Sequence, residues 1–420
     1  MVGFVTVRVE GLKLNFHPIA ALMAASGTDA MHLPVALLIV FGSAKLLAEI
    51  CERVGQPGIV GEILAGVLIG PSVLNWVRPD QTLSAFAELG VMFLLFRVGL
   101  EVKASELMKV GGTAFIVAIL GVAVPLGLGV WVMLWAGVSS IEALFVGASL
   151  VATSVGITAQ VLAAKGLLQE RASKVILAAA VIDDVLGLLV LAFVSSLAEG
   201  RVNWLKLAST AVLASGFTVL IAKFGTRTMQ RFIPRMEQRL RVSERQFNLS
   251  LLLLFVLSVL AMKVGVAAIV GAFLAGMALS ETVGRRVHDL AQGVSELLVP
   301  FFLAGVGLHI DLSAFAHRET LVLSAVVVLI AVFSKLIGCG IGAWKLGAAD
   351  RFRVGVGMIP RGEVGMVVAQ LGLGLGVVEK PIYAVVVLMT VATTMIAPPL
   401  LKFAYRGSTP GIAKEEFELG

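Results

Sequence analysis

The sequence predicts an all-α polytopic membrane protein built from two related halves, and three observations carry this prediction. The 420 residues are 58% hydrophobic and only 14% charged, whereas soluble domains carry about 25% charged residues. Long apolar runs recur from Leu33 into the 400s, and a backbone in lipid must satisfy its own hydrogen bonds, which favours helices over the alternating strands of a barrel. Segments of the first half recur in the second. The net charge of +6 belongs to loops and does not indicate nucleic-acid binding.

Thirteen apolar segments are each long enough to cross a bilayer, which takes roughly 20 helical residues. Residues 1–32 precede them and are predicted to form a peripheral segment. The predicted spans are residues 33–53, 57–75, 81–101, 110–136, 140–164, 174–198, 204–223, 246–262, 264–281, 290–310, 320–344, 353–376 and 381–403.

The basic residues predict the orientation of these spans. Thirteen spans place the two termini on opposite sides, and most of the 33 lysines and arginines lie in the C-terminal tail or in loops after odd-numbered spans. Because such residues mark the cytoplasmic side, the N-terminus is predicted outside and the C-terminus inside. The densest cluster, the loop Lys223–Arg245 between spans 7 and 8, is explained by this topology signal or by binding to anionic lipid.

Three pairs of segments share sequence at a nearly constant offset of 208 to 210 residues. They are Ile59–Gly66 with Ile269–Gly276, Glu88–Leu100 with Glu296–Leu308, and Val155-Gly156 with Val364-Gly365. The matched spans lie seven apart, and seven is odd, so the copies cross the membrane in opposite directions. Such inverted-topology repeats are typical of transporters that work by alternating access.

Spans 5 and 12 each contain residues that interrupt a helix, and inverted-repeat transporters bind ions where helices break. In span 12, Pro360 lacks a backbone donor and disfavours helix at the residue before it. In span 5, Thr153 and Ser154 offer oxygen atoms, the ligand type that hard cations choose, although bonds within their own helix explain these hydroxyls equally well. Cut helix ends carry partial charges, so Arg361 and Glu363 are predicted to compensate such charges.

Two adjacent carboxylates, Asp183 and Asp184, lie within the apolar run of span 6. One carboxylate at the bilayer centre costs about 2.5–3.5 kcal/mol on insertion scales, so a pair there predicts a site where a cation and a proton compete. Consecutive helical residues point roughly 100° apart, so one aspartate can reach an aqueous cavity while the other pairs within the protein. Lys335 in span 11 is the best available cation for a pair that titrates as a unit, and a static structural ion pair is the alternative.

Four motifs follow one another along the chain. They are Gly61-Glu-Ile-Leu-Ala-Gly-Val-Leu-Ile-Gly-Pro71, Ala152-Thr-Ser-Val-Gly156, Val181-Ile-Asp-Asp-Val-Leu-Gly187 and Pro360-Arg-Gly-Glu-Val-Gly365. Together they resemble the second monovalent cation:proton antiporter family, in its bacterial sodium/proton exchanger branch, over about residues 35–405. The resemblance implies the sodium/proton antiporter fold, in which spans 5 and 12 are crossing discontinuous helices, and a homodimer. It also implies that Asp184 is the principal carrier of Na⁺ and protons, that Asp183 is paired with Lys335 until a cation arrives, and that exchange is electrogenic.

The resemblance further implies a division into a dimerisation bundle, an ion-binding core and a linker helix. The segments are an N-terminal peripheral segment (1–32), the dimerisation bundle (33–103 and 227–312), the core (104–200 and 313–406), the linker helix (201–226) and a cytoplasmic tail (407–420).

The expected function is secondary active exchange of sodium or lithium for protons across a bacterial inner membrane. A potassium/proton antiporter of the same fold and a sodium-coupled organic-anion carrier are the alternatives. Enzyme activity is not expected, because intramembrane aspartyl proteolysis needs carboxylates on two different helices. The expected partners are a second copy of the chain, lipid and monovalent cations, with no nucleic acid and no cofactor besides the transported Na⁺ and H⁺.

Overall fold

The computed structural model describes residues 29–54, 56–198, 204–239, 243–309 and 318–406. Within these ranges the chain forms fifteen α-helices and no β-strand. The helices are α1 Asp29–Arg53, α2 Gly58–Ile69, α3 Gln81–Glu101, α4 Ala104–Trp135, α5 Ser140–Ser149, α6 Val155–Ala164, α7 Arg171–Ala198, α8 Trp204–Arg239, α9 Arg245–Lys263, α10 Ala268–Leu279, α11 Arg285–Leu308, α12 Arg318–Gly342, α13 Ala348–Gly357, α14 Glu363–Gly374 and α15 Lys380–Ala404. The predicted tail 407–420 and residues 1–28 of the predicted N-terminal segment lie outside the described residues.

Nine of the described helices are long and apolar enough to cross a membrane, namely α1, α3, α4, α7, α8, α9, α11, α12 and α15. The predicted spans 2 and 9 correspond to the shorter helices α2 and α10, which have 12 residues each and are about 18 Å long. Spans 5 and 12 are each divided into two short helices, α5 with α6 and α13 with α14. The breaks therefore fall in the two spans for which the sequence predicts them, while the count of thirteen crossings stays a prediction.

Helix α8 corrects the prediction for the most basic part of the chain. The segment Lys223–Arg245 is predicted to be a loop, and the linker helix to end at residue 226, but α8 continues to Arg239. Arginine, lysine, methionine and glutamine are good helix formers. The charged residues after Lys223 therefore end the apolar run but not the helix. In the second half of α8, cations recur at every fourth position and form a basic stripe, which consists of Lys223, Arg227, Arg231 and Arg235. With 36 residues, α8 is about 54 Å long.

Close backbone contacts repeat in the two halves of the chain. A Cβ atom on Gly66 of α2 would clash with the carbonyl oxygen of Ala304 in α11, and a Cβ atom on Gly276 of α10 would clash with that of Phe96 in α3. The two glycines are repeat equivalents, and so are the two carbonyl partners. Both crossings therefore require glycine, since they leave no room for any side chain.

The same correspondence extends to α1 and α9, which the three sequence matches do not include. A Cβ atom on Gly61 of α2 would clash with the carbonyl oxygen of Leu47 in α1, and one on Gly271 of α10 would clash with that of Leu257 in α9. Both pairs again lie at an offset of 210 residues. Helices α1–α3 and α9–α11 are thus two copies of one packing arrangement.

A polar cluster at the C-terminal end of α15 joins this helix to two other elements of the fold. The hydroxyl oxygens of Ser173 in α7 and Tyr405 lie 3.0 Å apart. The guanidinium of Arg353 in α13 lies 4.9 Å from the centre of the Tyr405 ring, and its Nε donates to the carbonyl oxygen of Ala404 at 3.2 Å. Burial raises the pKa of the Tyr405 hydroxyl to about 12, so the hydroxyl stays protonated. The cluster holds α7, which carries the adjacent aspartates, against α13 and α15.

Candidate ion-binding site

The two interrupted spans cross at their breaks, between α5 and α6 and between α13 and α14. The backbone N–H of Ser154 donates to the carbonyl oxygen of Pro360 at 2.8 Å. The hydroxyl of Thr158 donates to the carbonyl oxygen of Gly357, the last residue of α13, at 2.7 Å. Buried backbone groups must find partners when a helix is interrupted, and here each broken span supplies partners for the other.

Two glycines allow close packing around the break in span 12, one against α7 and one against the other broken span. A Cβ atom on Gly357 would clash with the side chain of Ile176 in α7, and a Cβ atom on Gly362 would lie 2.7 Å from the side chain of Ser154. Pro360, between them, has no N–H that a continuous helix would leave unsatisfied. The sequence around the break therefore suits an extended crossing segment rather than a helix.

Arg361 lies beside the cut end of α13 and is fully buried. Its guanidinium donates to the carbonyl oxygen of Ala331 in α12 at 3.2 Å and, more weakly, to that of Met358, the C-cap of α13, at 3.5 Å. Because the C-terminal end of a helix carries a partial negative charge, this position agrees with the predicted compensating role of Arg361, which stays a prediction. Glu363 is the first residue of α14, and the compensating role of its carboxylate stays a prediction.

Asp183 and Lys335 form a buried ion pair between α7 and α12. The lysine Nζ lies 3.2 Å from Oδ1 and 3.3 Å from Oδ2 of Asp183, and both side chains are 0% exposed. Gly121 of α4 leaves space for the ammonium group, since a Cβ atom there would lie 3.4 Å from Nζ and 2.9 Å from the Sγ atom of Cys339. Arg361 is close enough to interact electrostatically with both members of the pair.

Asp184 faces different surroundings from its neighbour, as the 100° turn between consecutive residues predicts. It is 7% exposed and lines a small pocket together with Thr153 and Ser154, which we call the Asp184 pocket. The Thr153 hydroxyl is buried and has no hydrogen-bond partner among the residues that the structure describes. The volume of the pocket, 10 Å³, is about that of one water-sized sphere. The pocket thus surrounds a space for one small particle with carboxylate and hydroxyl oxygens.

Two larger cavities lie at opposite ends of the helices. The Glu88 cavity, of 530 Å³, is lined by Glu88 near the start of α3, His309 after α11 and Tyr383 near the start of α15. The Glu62 cavity, of 450 Å³, is lined by Glu62 of α2 and by Lys402 near the end of α15. About 28 Å of helix separates Tyr383 from Lys402, so the two cavities lie towards opposite faces of the bilayer.

The Asp184 pocket lies between these cavities. Gly156 of α6 lines the pocket, and Gln160, one helical turn further along α6, lines the Glu62 cavity. On the other side, Phe302 of α11 lines both the pocket and the Glu88 cavity. The pocket therefore shares a lining residue with the Glu88 cavity and lies one helical turn from a residue that lines the Glu62 cavity.

The site also contains residues that the sequence reasoning does not single out. Val91, Ile269 and Phe302 complete the wall of the Asp184 pocket. Apolar residues inside apolar runs carry no local signal of function. Only the internal repeat marks the three wall residues, because all of them lie in its matched segments.

The fold and the buried carboxylates place the chain in the class of multi-pass membrane transporters. The family model of the sodium/hydrogen exchanger, transmembrane, matches residues 35–406. The chain therefore belongs to the sodium/hydrogen exchanger family.

Relatives and solved structures agree with this family. The chain is 34% identical to the high-affinity Na⁺/H⁺ antiporter NhaS3 of Synechocystis sp., over 91% of this chain and 92% of the relative. It is 34% identical to the Na⁺/H⁺-K⁺ antiporter GerN of Bacillus cereus, over 88% and 95% of the two chains. The sodium proton antiporter MjNhaP1 of Methanocaldococcus jannaschii at pH 8 has a similar structure, with a TM-score of 0.64 and 17% identity over 90% of this chain and 97% of that one. The structural likeness shows a shared fold.

Proposed function

We propose that the chain exchanges sodium or lithium ions for protons across a bacterial inner membrane, as a secondary active transporter that works by alternating access. One observation carries the proposal: the buried Asp184 carboxylate lines a pocket for one small particle, and a cavity lies on either side of that pocket. The names of relatives such as NhaS3, and of the Na⁺/H⁺ antiporter of Enterococcus hirae at 32% identity, support the choice of ions.

Competition at Asp184 explains how two opposite fluxes are coupled. The ionised carboxylate and the Thr153 hydroxyl offer the oxygen ligands that a hard cation chooses, and the Ser154 hydroxyl lies beside them. The protonated carboxyl group is neutral and does not attract a cation. An empty, ionised site moves poorly, because one carboxylate in the apolar part of the bilayer costs about 2.5–3.5 kcal/mol. The site therefore changes the side of the membrane to which it is open only when a cation or a proton is bound.

We assign the Asp183–Lys335 pair to the charge balance of exchange. When a cation binds beside the two aspartates, Asp183 turns from lysine to cation, and the buried ammonium group, having lost its partner, releases a proton. Together with the proton from Asp184, two protons then exchange for one sodium ion, so exchange is electrogenic. Lys335→Ala tests this assignment: an unchanged charge movement per sodium ion would make the pair a static structural element.

The matched variants Asp184→Asn and Asp289→Asn test the carboxylate model in proteoliposomes. Both remove one negative charge with almost no change in size, but Asp289 is exposed on α11. We expect sodium-driven proton flux to disappear in Asp184→Asn and to persist in Asp289→Asn. Retained flux in a folded Asp184→Asn protein would reject the model.

A potassium/proton antiporter is the second candidate, and the name of the relative GerN, a Na⁺/H⁺-K⁺ antiporter, favours it. Ion-dependent proton flux measured separately with Na⁺, Li⁺ and K⁺ at a clamped membrane voltage decides between the two. A pocket of 10 Å³ argues against the sodium-coupled organic-anion carrier, because such a substrate needs a much larger polar cavity.

The close glycine contacts support a division of the protein into two parts. We propose that α1–α3 and α9–α11 form the dimerisation bundle, that α4–α7 and α12–α15 form the core with the ion site, and that α8 links them. Native mass spectrometry of the purified protein tests the homodimer, and a single-chain mass at every concentration would reject it. Accessibility of engineered cysteines in the two termini tests the proposed orientation, with the N-terminus outside.

Anionic lipid is the proposed partner of the basic stripe on α8. The cations of the stripe are exposed, and an apolar groove of 270 Å³ beside them is lined by Leu220 and Phe224 of α8 and by Leu257 of α9. Juxtamembrane cations attract anionic headgroups by about 1 kcal/mol each, and the groove accepts an acyl chain. Co-purification of phosphatidylglycerol that is lost when Arg227 and Arg231 become glutamine would support this partner, and unchanged retention would exclude it.

A further inference from the structure

The wall between the Asp184 pocket and the Glu88 cavity is one side chain thick. Ile269 of α10 and Phe302 of α11 line both spaces, and Val91 of α3 completes the wall on the pocket side. Among the described residues, none lines both the Asp184 pocket and the Glu62 cavity. An ion that moves between the Glu88 cavity and Asp184 must therefore pass these apolar side chains.

The wall residues belong to the bundle but press on the break in the core. A Cβ atom on Gly156, in the first turn of α6, would lie 3.0 Å from Cγ2 of Val91 and 3.5 Å from Cε1 of the Phe302 ring. Val91 is 2% exposed and Phe302 is 6% exposed, so both are packed tightly against the core. Pro300, two residues before Phe302, lacks the N–H that would bond one turn back in α11.

We infer that Phe302, together with Ile269, is the barrier that controls access of ions from the Glu88 cavity to Asp184. The inference rests on the proposed function and names the residues that block access to the Asp184 pocket from one side. A constriction lined by apolar side chains excludes a hydrated ion because it sheds water. Separation of the bundle from the core at Phe302 opens this side of the route.

The internal repeat assigns the counterpart of this barrier at the other end of the route. Ile59 is the repeat equivalent of Ile269 and lines the Glu62 cavity. Leu94 is the repeat equivalent of Phe302 and is fully buried in α3. Because the two copies run in opposite directions, Leu94 and Ile59 separate the Asp184 pocket from the Glu62 cavity when the transporter faces the other way.

Cysteine accessibility tests the barrier directly. The reporter is Ser154→Cys in the Asp184 pocket, in a background in which Cys51 and Cys339 are alanine, and the probe is a membrane-impermeant methanethiosulfonate with a trimethylammonium group. With the probe on the Glu88 side, we expect Phe302→Ala to raise the labelling rate by about tenfold or more, because the apolar constriction is gone. Phe301→Ala is the matched control, since Phe301 lines the Glu88 cavity but not the pocket.

The possible outcomes separate the barrier from the transport proposal. Equal labelling in Phe302→Ala and Phe301→Ala, or no increase in Phe302→Ala, would overturn the inference. If Phe302→Ala does not fold, Phe302→Leu is expected to give a smaller increase in the same direction. Leu94→Ala should raise labelling from the Glu62 side only, and any other pattern would reject the repeat assignment. Labelling needs no transport, so the barrier is tested even if Asp184→Asn keeps its exchange activity.

Discussion

Removal of the buried lysine is the most informative perturbation of the site. Lys335→Met keeps an unbranched apolar side chain but removes the ammonium group that lies 3.2 Å from Oδ1 of Asp183. Both side chains are 0% exposed, and removing one partner of a buried ion pair typically costs about 3–5 kcal/mol, because the other charge stays buried. We expect Lys335→Met to lower the free energy of unfolding by an amount of this order.

Arg361 makes the two single substitutions unequal. Its charge attracts Asp183 and repels Lys335. After Lys335→Met the carboxylate keeps one nearby cation. After Asp183→Asn the lysine has no partner and is still repelled by Arg361, so it either stays charged at a high cost or gives up its proton. We therefore expect Asp183→Asn to be the more destabilising change, and the double variant to be more stable than Asp183→Asn alone.

A double-mutant cycle measured by unfolding in detergent tests this reasoning. The control is Lys109→Met, the same substitution at an exposed position of α4, which should stay within about 0.5 kcal/mol of the parent protein. If Lys335→Met also stays within that range, the pair does not stabilise the fold. A double variant no more stable than Asp183→Asn would show that the two side chains do not interact as the geometry implies.

Three further substitutions test individual contacts. Gly66→Ala should prevent folding, since its Cβ would clash with a backbone carbonyl oxygen. Gly112→Ala is the control: its Cβ would have no atom within 4 Å, so it should stabilise α4 by roughly 0.5–1 kcal/mol. Equal yields of the two variants by size-exclusion chromatography would contradict the contact at Gly66. Thr394→Val removes the hydroxyl that donates to the carbonyl oxygen of Arg361 at 2.8 Å and should cost about 1 kcal/mol, measured by thermal unfolding; an unchanged melting temperature would mean that the bond is not stabilising. Glu142→Gln weakens the acceptor of the hydrogen bond from the backbone N–H of Glu379, just before α15, which is 2.8 Å long. This change should lower the free energy of unfolding by about 1 kcal/mol. We expect faster hydrogen exchange at the amide of Glu379, and an unchanged exchange rate would contradict the prediction.

The chemistry of the site is predictable from the sequence because its residues are out of place in an apolar run. Pro360 predicts a break, and α13 and α14 end and begin on either side of it. Adjacent aspartates cannot share surroundings on a helix, and the structure places Asp183 against Lys335 and Asp184 in the pocket. What these groups bind stays a prediction until ion flux is measured.

Helix ends and packing partners are less predictable, for physical reasons. Hydropathy marks where a chain leaves lipid, but backbone hydrogen bonds decide where a helix ends, so α8 runs on into its basic segment. The apolar run 57–75 is longer than α2, because Pro71 disfavours helix at the residue before it and α2 ends at Ile69. Phe302 and Val91 become part of the site only through contacts between segments that are distant in the sequence. Such contacts cannot be predicted from apolar residues within apolar runs.

Where two backbones touch with no side chain between them, nothing soft remains to be compressed. The crossings at Gly66 and Gly276 therefore hold α2 against α11 and α10 against α3 with no layer of side chains that could deform. The movement that the proposed alternating access requires must therefore take place between these helices and the rest of the protein, and not within them.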